Sequence, residues 1–349
     1  MKNRIKAAVA IAATAFLLWY ALSGIDWAEV GAQIRRANPW LMAAAVLVST
    51  LGMHVRALRW KTLLAPVDPR VPWRPRIAGV CIGFGANNVL PARLGEFARV
   101  YVLSRETRVP LTASLASLVL ERVLDGIVCI GFLLGAMAMP GFPAITGDDP
   151  RAALSFIVAA IAGLTLAVIA MAAAPDWSLR VAERCSRVLP GRARGPVLRA
   201  CEGFVRGLHV LRSPRLLAIS VGWVLFQWTF LAFSFWLAFR SVGIEGPGFL
   251  GAVFLQSLIA LAVSIPAAPG FFGPFEAASV WGLGLWGVAK EQAATFAIGF
   301  HLGGWLTVTA LGLYYAARLN LRWSELSGRE RKEEGAGAGD AAGGDARPA

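Results

Sequence analysis

Apolar runs about as long as one bilayer crossing recur along the chain, separated by short arginine-rich stretches, and this alternation predicts helices rather than strands. With about 20 apolar residues per crossing as the measure, six full spans are predicted, at residues 7–22, 40–55, 111–139, 153–173, 216–239 and 292–317. Pro39, Pro110 and Pro214 stand just before three of them, where a helix start tolerates a missing amide donor. The first run follows Lys2, Arg4 and Lys6 and shares the layout of a signal peptide; its bulky end at Trp19 and Tyr20 favours an uncleaved anchor.

Two further apolar stretches are interrupted. Residues 77–104 break at Pro91, and 249–289 break across "PAAPGFFGP", which contains Pro266, Pro269, Gly270, Gly273 and Pro274. Irregular backbone at membrane depth is tolerated only where protein or a water-filled cavity satisfies its polar groups, so each stretch predicts a re-entrant helical hairpin.

Composition agrees with a lipid solvent: 57% of the 349 residues are hydrophobic and only 16% are charged, too apolar for a water-soluble domain. The net charge of +13 then falls between apolar runs, where it sets orientation rather than binding nucleic acid. Segment 56–76 holds Arg56, Arg59, Lys61, Arg70, Arg74 and Arg76 against Asp68, and 174–215 holds nine arginines against three acids; both are predicted to be cytoplasmic. Segments 23–38 and 140–150 have no basic excess and are placed outside. With both termini cytoplasmic, the two hairpins must then enter from opposite faces.

The reading is therefore an all-α polytopic membrane protein with six full transmembrane helices plus two oppositely oriented re-entrant helical hairpins. The membrane domain is placed at 1–320 and a disordered, glycine-rich cytoplasmic tail at 321–349. Its halves, about 39–139 and 214–317, are inverted repeats: Pro91 follows Pro39 by 52 residues, and Pro269 follows Pro214 by 55. After each break comes Pro-x-x-x-Gly (Pro91 to Gly95, Pro269 to Gly273) and a glutamate, Glu96 or Glu276. A polar residue follows in the next span, Glu121 at 30 residues past Pro91 and His301 at 32 past Pro269. Inverted-repeat transporters place their substrates where such broken helices meet.

In "LVLERVLDGIV", Glu121 lies about 15 Å into its helix at 1.5 Å per residue, where a charge is expensive. Asp125 shares its face, so the pair needs a cation or a proton. Arg122 reaches Asp125 only partly, leaving Arg93 and Arg99 of "NNVLPARLGEFARV" as candidate partners. The same two guanidinium forks suit phosphate oxygens, with Glu96 able to hold one of them in place. Asn88, Arg93, Glu96, Arg99, Glu121, Arg122, Asp125, Glu276 and His301 are thus the candidate substrate-binding residues, with Pro91, Gly95, Pro269, Gly270 and Gly273 at the breaks. A purely structural ion-pair cluster, or an ordinary surface helix with snorkelling arginines, is the competing reading. Cys81, Cys129, Cys185 and Cys201 form no metal-ligand or disulfide pattern, and neither metal nor cofactor is expected.

"RALRWKTLL" at 56–64, "NNVLPARLGEFARVYVLSRE" at 87–106, "LERVLDG" at 120–126 and "PAAPGFFGPFEA" at 266–277 together resemble the flippase-like membrane domain of the lysylphosphatidylglycerol synthases and their stand-alone bacterial relatives. The resemblance implies a domain that moves a lipid between leaflets of the bacterial inner membrane. A lysyl transferase is not expected, because only a short charged segment and the polar tail follow the last span. A lipid flippase is the first expectation, acting on a lipid with an anionic head group, phospholipid or polyprenyl-linked. No GxxxxGK[ST] loop and no nucleophile beside a histidine is present, so the chain is expected not to be an enzyme. A membrane enzyme using a lipid-phosphate donor and a membrane scaffold remain as alternatives. A partner lipid-synthesis enzyme fits the first reading. The small residues Gly282, Gly284, Gly299, Gly303 and Gly304 allow close helix packing, within the chain or in a homodimer.

Overall fold

The structure, a computed structural model of the chain, describes residues 12, 14–90, 93–143, 213–264 and 269–321 with scattered positions between 174 and 202. Among the described residues it is helical throughout, with no strand. In chain order the helices are α1 (Trp27–Arg36), α2 (Pro39–Leu64), α3 (Trp73–Val89), α4 (Leu94–Glu106) and α5 (Leu111–Ala138). There follow α6 (Pro214–Ser241), α7 (Gly248–Ala262), a 3-10 turn at Pro269–Phe271, α8 (Pro274–Gly284) and α9 (Lys290–Arg318). By length and composition α2, α6 and α9 are long and apolar enough to cross a membrane. Helix α5 has 28 residues, as many as α6, and carries Glu121, Arg122 and Asp125 near its middle. Of the first predicted span, residues 14–22 are helical; the predicted span at 153–173, most of the segment 174–215, Pro91, Pro266 and the tail from 322 lie outside the described residues.

The two long helices that open the proposed halves start alike. Pro39 is the first residue of α2 and the Asn38 side chain accepts from the amides of Trp40 and Leu41 at 3.0 and 3.1 Å. Pro214 opens α6 and the Ser213 hydroxyl accepts from the Leu216 amide at 3.3 Å. Each cap satisfies amides that have no partner within the helix. Helices α2 and α6 then pack along each other, and α9 lies against α3 and α2.

Two loops of the sequence reading are corrected. Segment 56–76 does not begin as a loop, because α2 continues to Leu64 and carries Arg56, Arg59 and Lys61 in its last turns. Helical backbone persists through these charges because Arg56 and Arg59 are buried against carboxylates instead of facing lipid. Segment 23–38 contains α1, begun by Asp26, whose carboxylate accepts from the amides of Ala28 and Glu29 at 2.8 and 3.4 Å. Helix α1 is amphipathic, with Val30 buried.

Both interrupted stretches are helix, break, helix. Helices α3 and α4 pack closely where Gly83 and Gly95 face each other, and the Gly95 amide donates to the Asn87 side chain at 2.9 Å. A methyl group at Gly95 would collide with the Gly83 carbonyl and with Asn87, so this glycine is required by close approach. The second break turns through Gly270 (φ 77°), Phe271 (φ 62°) and Gly273 (φ 94°), and Pro274 then opens α8. Two of the small residues on α9 are used within the chain: added methyls at Gly299 and Gly303 would meet Met42 and Val46 of α2 at 3.1 and 2.6 Å, whereas one at Gly304 would meet nothing within 4 Å. Gly95→Ala is expected to destabilise the protein by roughly 1–3 kcal/mol or more. Gly131→Ala and Gly135→Ala, whose methyls meet nothing within 4 Å, should leave the melting temperature in detergent unchanged.

Candidate functional site

Helical spacing puts Glu121 and Asp125 on one face of α5, and packing buries both. Between them sits Arg59 of α2, itself fully buried. Its two terminal nitrogens donate to the Asp125 oxygens at 2.5 and 3.1 Å, and Nη2 lies 3.1 Å from Glu121 Oε1. Arg99 of α4 holds Glu121 from the other side with a two-pronged pair, both bonds 2.8 Å. The Arg99 guanidinium lies 4.0 Å from the centre of the Trp60 ring, and Trp60 Nε1 donates to Ser117 Oγ at 2.9 Å. From α6, Trp228 Nε1 donates to Asp125 Oδ1 at 3.1 Å.

Two more guanidiniums edge the cluster. Arg122 donates to Glu121 Oε1 at 2.8 Å and lies 3.7 Å from Asp125 and 3.8 Å from Glu96. Arg56 lies 3.9 Å from Asp125 and 4.8 Å from the centre of the Phe84 ring. Residues from α2, α4, α5 and α6 thus converge on two carboxylates. Forked arginine–carboxylate bonds at this depth are the geometry in which attraction offsets desolvation.

A second polar centre joins the two breaks. Arg93 begins α4 in the left-handed region (φ 54°, ψ 34°), which for a residue with a side chain costs about 1–2 kcal/mol. From there its side chain donates to the Val263 carbonyl at the end of α7 and lies 5.5 Å from the Phe271 ring centre. Asn88 Nδ2 donates to Thr309 Oγ1 and to the Trp305 carbonyl of α9, at 2.9 and 3.2 Å. Trp305 Nε1 returns a bond to the Asn88 carbonyl at 3.3 Å. His301 Nδ1 is 2.7 Å from Glu276 Oε1, and its Nε2 is 2.9 Å from the Gly270 carbonyl. The rings of Phe275 and Phe272 cover the imidazole, with centroids 4.2 and 4.7 Å away.

The predicted residues therefore divide into two groups. Arg99, Glu121, Arg122 and Asp125 meet in the first centre, with Glu96 at its edge; Asn88, Arg93, Gly270, Glu276 and His301 meet in the second. Arg99 is the predicted partner of Glu121. Arg93 is not, because its left-handed start aims it at the carbonyl of Val263. Glu96 holds neither Arg93 nor Arg99 and faces Arg122 instead. Pro269 and Gly273 bound the second break, and Glu276 Oε2 accepts from the Gly273 amide at 2.6 Å. Arg56, Arg59 and Trp228 were absent from the prediction. Two arginines three apart share a helix face, so "RALR" directly after an apolar run was the available signal.

A family model described as the lysylphosphatidylglycerol synthase TM region matches residues 5–312. The chain belongs to this family. Its curated relatives include a protein named glycosyltransferase AglD from Haloferax volcanii, 27% identical over 73% of the chain and 45% of that protein. They also include UPF0104 membrane proteins from Methanocaldococcus jannaschii and Methanothermobacter thermautotrophicus. These are 21% and 22% identical, each over 82% of the chain and 86% and 87% of their own lengths. The chain spans less than half of the AglD protein and most of the UPF0104 proteins. The expectation that the chain is not an enzyme is corrected by the first of these, a match to a protein named for glycosyl transfer. Family and relatives make it a membrane protein with a lipid-related role.

Removing one partner from a buried pair strands the other charge. Arg59→Met is accordingly expected to destabilise the protein by about 3–5 kcal/mol. Arg59→Met combined with Asp125→Leu should cost clearly less than the two single changes added together, because the sites are coupled. Thermal unfolding in a neutral detergent reads both, and additive losses would mean that the pair is not a unit.

Proposed function

We propose that the chain is a lipid transporter of the flippase type, moving a phosphate-bearing phospholipid or polyprenyl-linked lipid between leaflets of the bacterial cytoplasmic membrane. The contact between the two breaks carries this reading. Arg93 links the start of α4 to the end of α7, and Asn88 ties the end of α3 to α9. Two interrupted helices meeting through polar groups is the arrangement in which inverted-repeat transporters hold substrate. In this reading the membrane body has six full helices and two hairpins that enter from opposite faces, with both termini cytoplasmic.

The work divides between the two centres. Arg99, Glu121 and Asp125 are already engaged with one another and with Arg59, so they brace α4 against α2 and α5. Asn88, Arg93, Glu96 and Arg122 lie toward the junction and take the head group, whose tails remain in the bilayer. Glu276 and His301 share one proton. Nε2 faces a carbonyl, which only accepts, so it carries hydrogen; the remaining proton lies between Nδ1 and Glu276. That pair balances charge as the junction opens and closes. A lipid-synthesis enzyme is the fitting partner.

The relative named glycosyltransferase AglD favours a second reading, in which the chain takes part in transfer of a sugar to or from a lipid phosphate. Vesicles separate the two. Purified protein in liposomes with a head-group-labelled phosphatidylglycerol should expose inner-leaflet label to an impermeant quencher, and Asn88→Ala with Arg93→Ala should return the rate to that of empty vesicles. Equal rates for wild type and variant would sink the transport reading. Turnover of a radiolabelled nucleotide sugar on polyprenyl phosphate, without accelerated quenching, would establish the second.

A further inference from the structure

Among the described residues the first centre is not electrically balanced. Arg56, Arg59, Arg99 and Arg122 face Glu96, Glu121 and Asp125, four guanidiniums against three carboxylates. The charges are not equally served. Arg59 and Arg99 each make forked bonds, and Arg122 bonds Glu121. Arg56 is nine-tenths buried, yet its Nε and Nη1 have no acceptor within hydrogen-bond distance; its nearest carboxylate oxygen, on Asp125, is 3.9 Å away. Asp125 directs its three hydrogen bonds to Arg59 and Trp228, and Arg56 faces its Oδ2 only at 3.9 Å. A buried guanidinium lacking acceptors is costly, and such a group calls for an acceptor, such as a bound anion, that completes it.

We infer that Arg56, with the edge of Arg122, forms the subsite for a singly charged phosphodiester, the linkage of a phospholipid head group. The sign of the charge fits, because guanidiniums outnumber carboxylates around the cluster. The chemistry matches too: a guanidinium presents parallel donors to two phosphate oxygens. The Phe84 ring lies over the Arg56 guanidinium at 4.8 Å, a contact that leaves the in-plane Nε and Nη1 donors without an acceptor. The Arg122 side chain is one-third exposed and borders the cluster, while its buried Nε has no acceptor. Position also favours a lipid. Arg56 stands eight residues from the end of α2, about 12 Å at 1.5 Å per residue, which is within reach of the head-group layer of a bilayer. Free phosphate offers the same oxygens without the acyl chains. The inference rests on the lipid-handling reading and assigns the head-group contact to a residue outside the original set.

The test is binding, not movement, so its failure is separable from that of transport. Intact protein in a neutral maltoside detergent is titrated with dihexanoyl phosphatidylglycerol, with uncharged dihexanoylglycerol and with inorganic phosphate, following the melting temperature. The wild type should be stabilised by the phosphatidylglycerol alone. Arg56→Met should need at least about tenfold more of it, the loss expected when one charge-assisted contact disappears. Without ligand this variant should melt at or above the wild type, since an unsatisfied charge has been removed, whereas an exposed control, Arg74→Gln, should match the wild type in every titration. Three results overturn the inference: a ligand-free Arg56→Met that melts far below wild type while keeping the lipid shift, an equal shift from inorganic phosphate, or no phosphatidylglycerol shift in the wild type. Lipid binding through Arg56 without translocation in vesicles keeps this subsite and removes only the transport reading.

Discussion

Arg59 stands between Glu121 and Asp125, and the first half of the molecule depends on that position. Two carboxylates one helical turn apart cannot both stay ionised in an apolar interior without a cation between them. Arg59 supplies it from α2, contacting both acids, while Arg99 from α4 closes the outer side of Glu121 and Trp228 from α6 donates to Asp125 Oδ1. Four helices, α2, α4, α5 and α6, are thereby tied together. Apolar packing gives these helices affinity for each other but little choice of rotation; the forked bonds allow only one. Trp60 extends the same lock, stacked under Arg99 and bonded to Ser117 of α5.

The two breaks show how similar sequences come to do different work. Glu96 and Glu276 each occupy the third position of the helix that follows its break. Glu276 turns back to the Gly273 amide with one oxygen and meets His301 with the other. Glu96 faces Arg122, and the start of α4 is held in its left-handed turn by Arg93 reaching across to Val263. Around the first break the carboxylates are held by guanidiniums; beside the second, a carboxylate meets an imidazole at 2.7 Å. The Asn88 and Trp305 bonds keep the breaks in contact, so a rearrangement at one is felt at the other.

Helices were legible in the sequence because apolar length and capping residues are local: Pro39 after Asn38 and Pro214 after Ser213 mark starts that the backbone reproduces. The interruptions at 90–93 and 263–273 were legible for the same reason, since proline and glycine act on their own backbone. The identity of the ion pairs was not. Arg99 was found because the chain returns to α5 through a short turn, which keeps the pair near in sequence. Arg59 lies 66 residues from Asp125 and was read as part of a basic loop, because a count of positive charge cannot tell a residue that meets lipid head groups from one buried against an acid. The shift of α2 by nine residues, from a predicted end at 55 to Leu64, is the same error seen in the backbone.

Lipid movement and lipid-linked transfer make the same first demand, a place inside an apolar body where a phosphate is more comfortable than in hydrocarbon. The inferred subsite at Arg56, beside a locked ion-pair cluster, would meet that demand for either chemistry. The requirements diverge at the second step. Movement needs a junction that opens alternately to either face, and the contacts of Arg93 and Asn88 between the two breaks are the ones it would have to release. Transfer needs a second substrate brought to the phosphate, and the AglD protein is more than twice as long as the stretch it shares with this chain. Holding a lipid phosphate and bringing a second substrate to it are separate demands, and this chain matches less than half of the AglD protein.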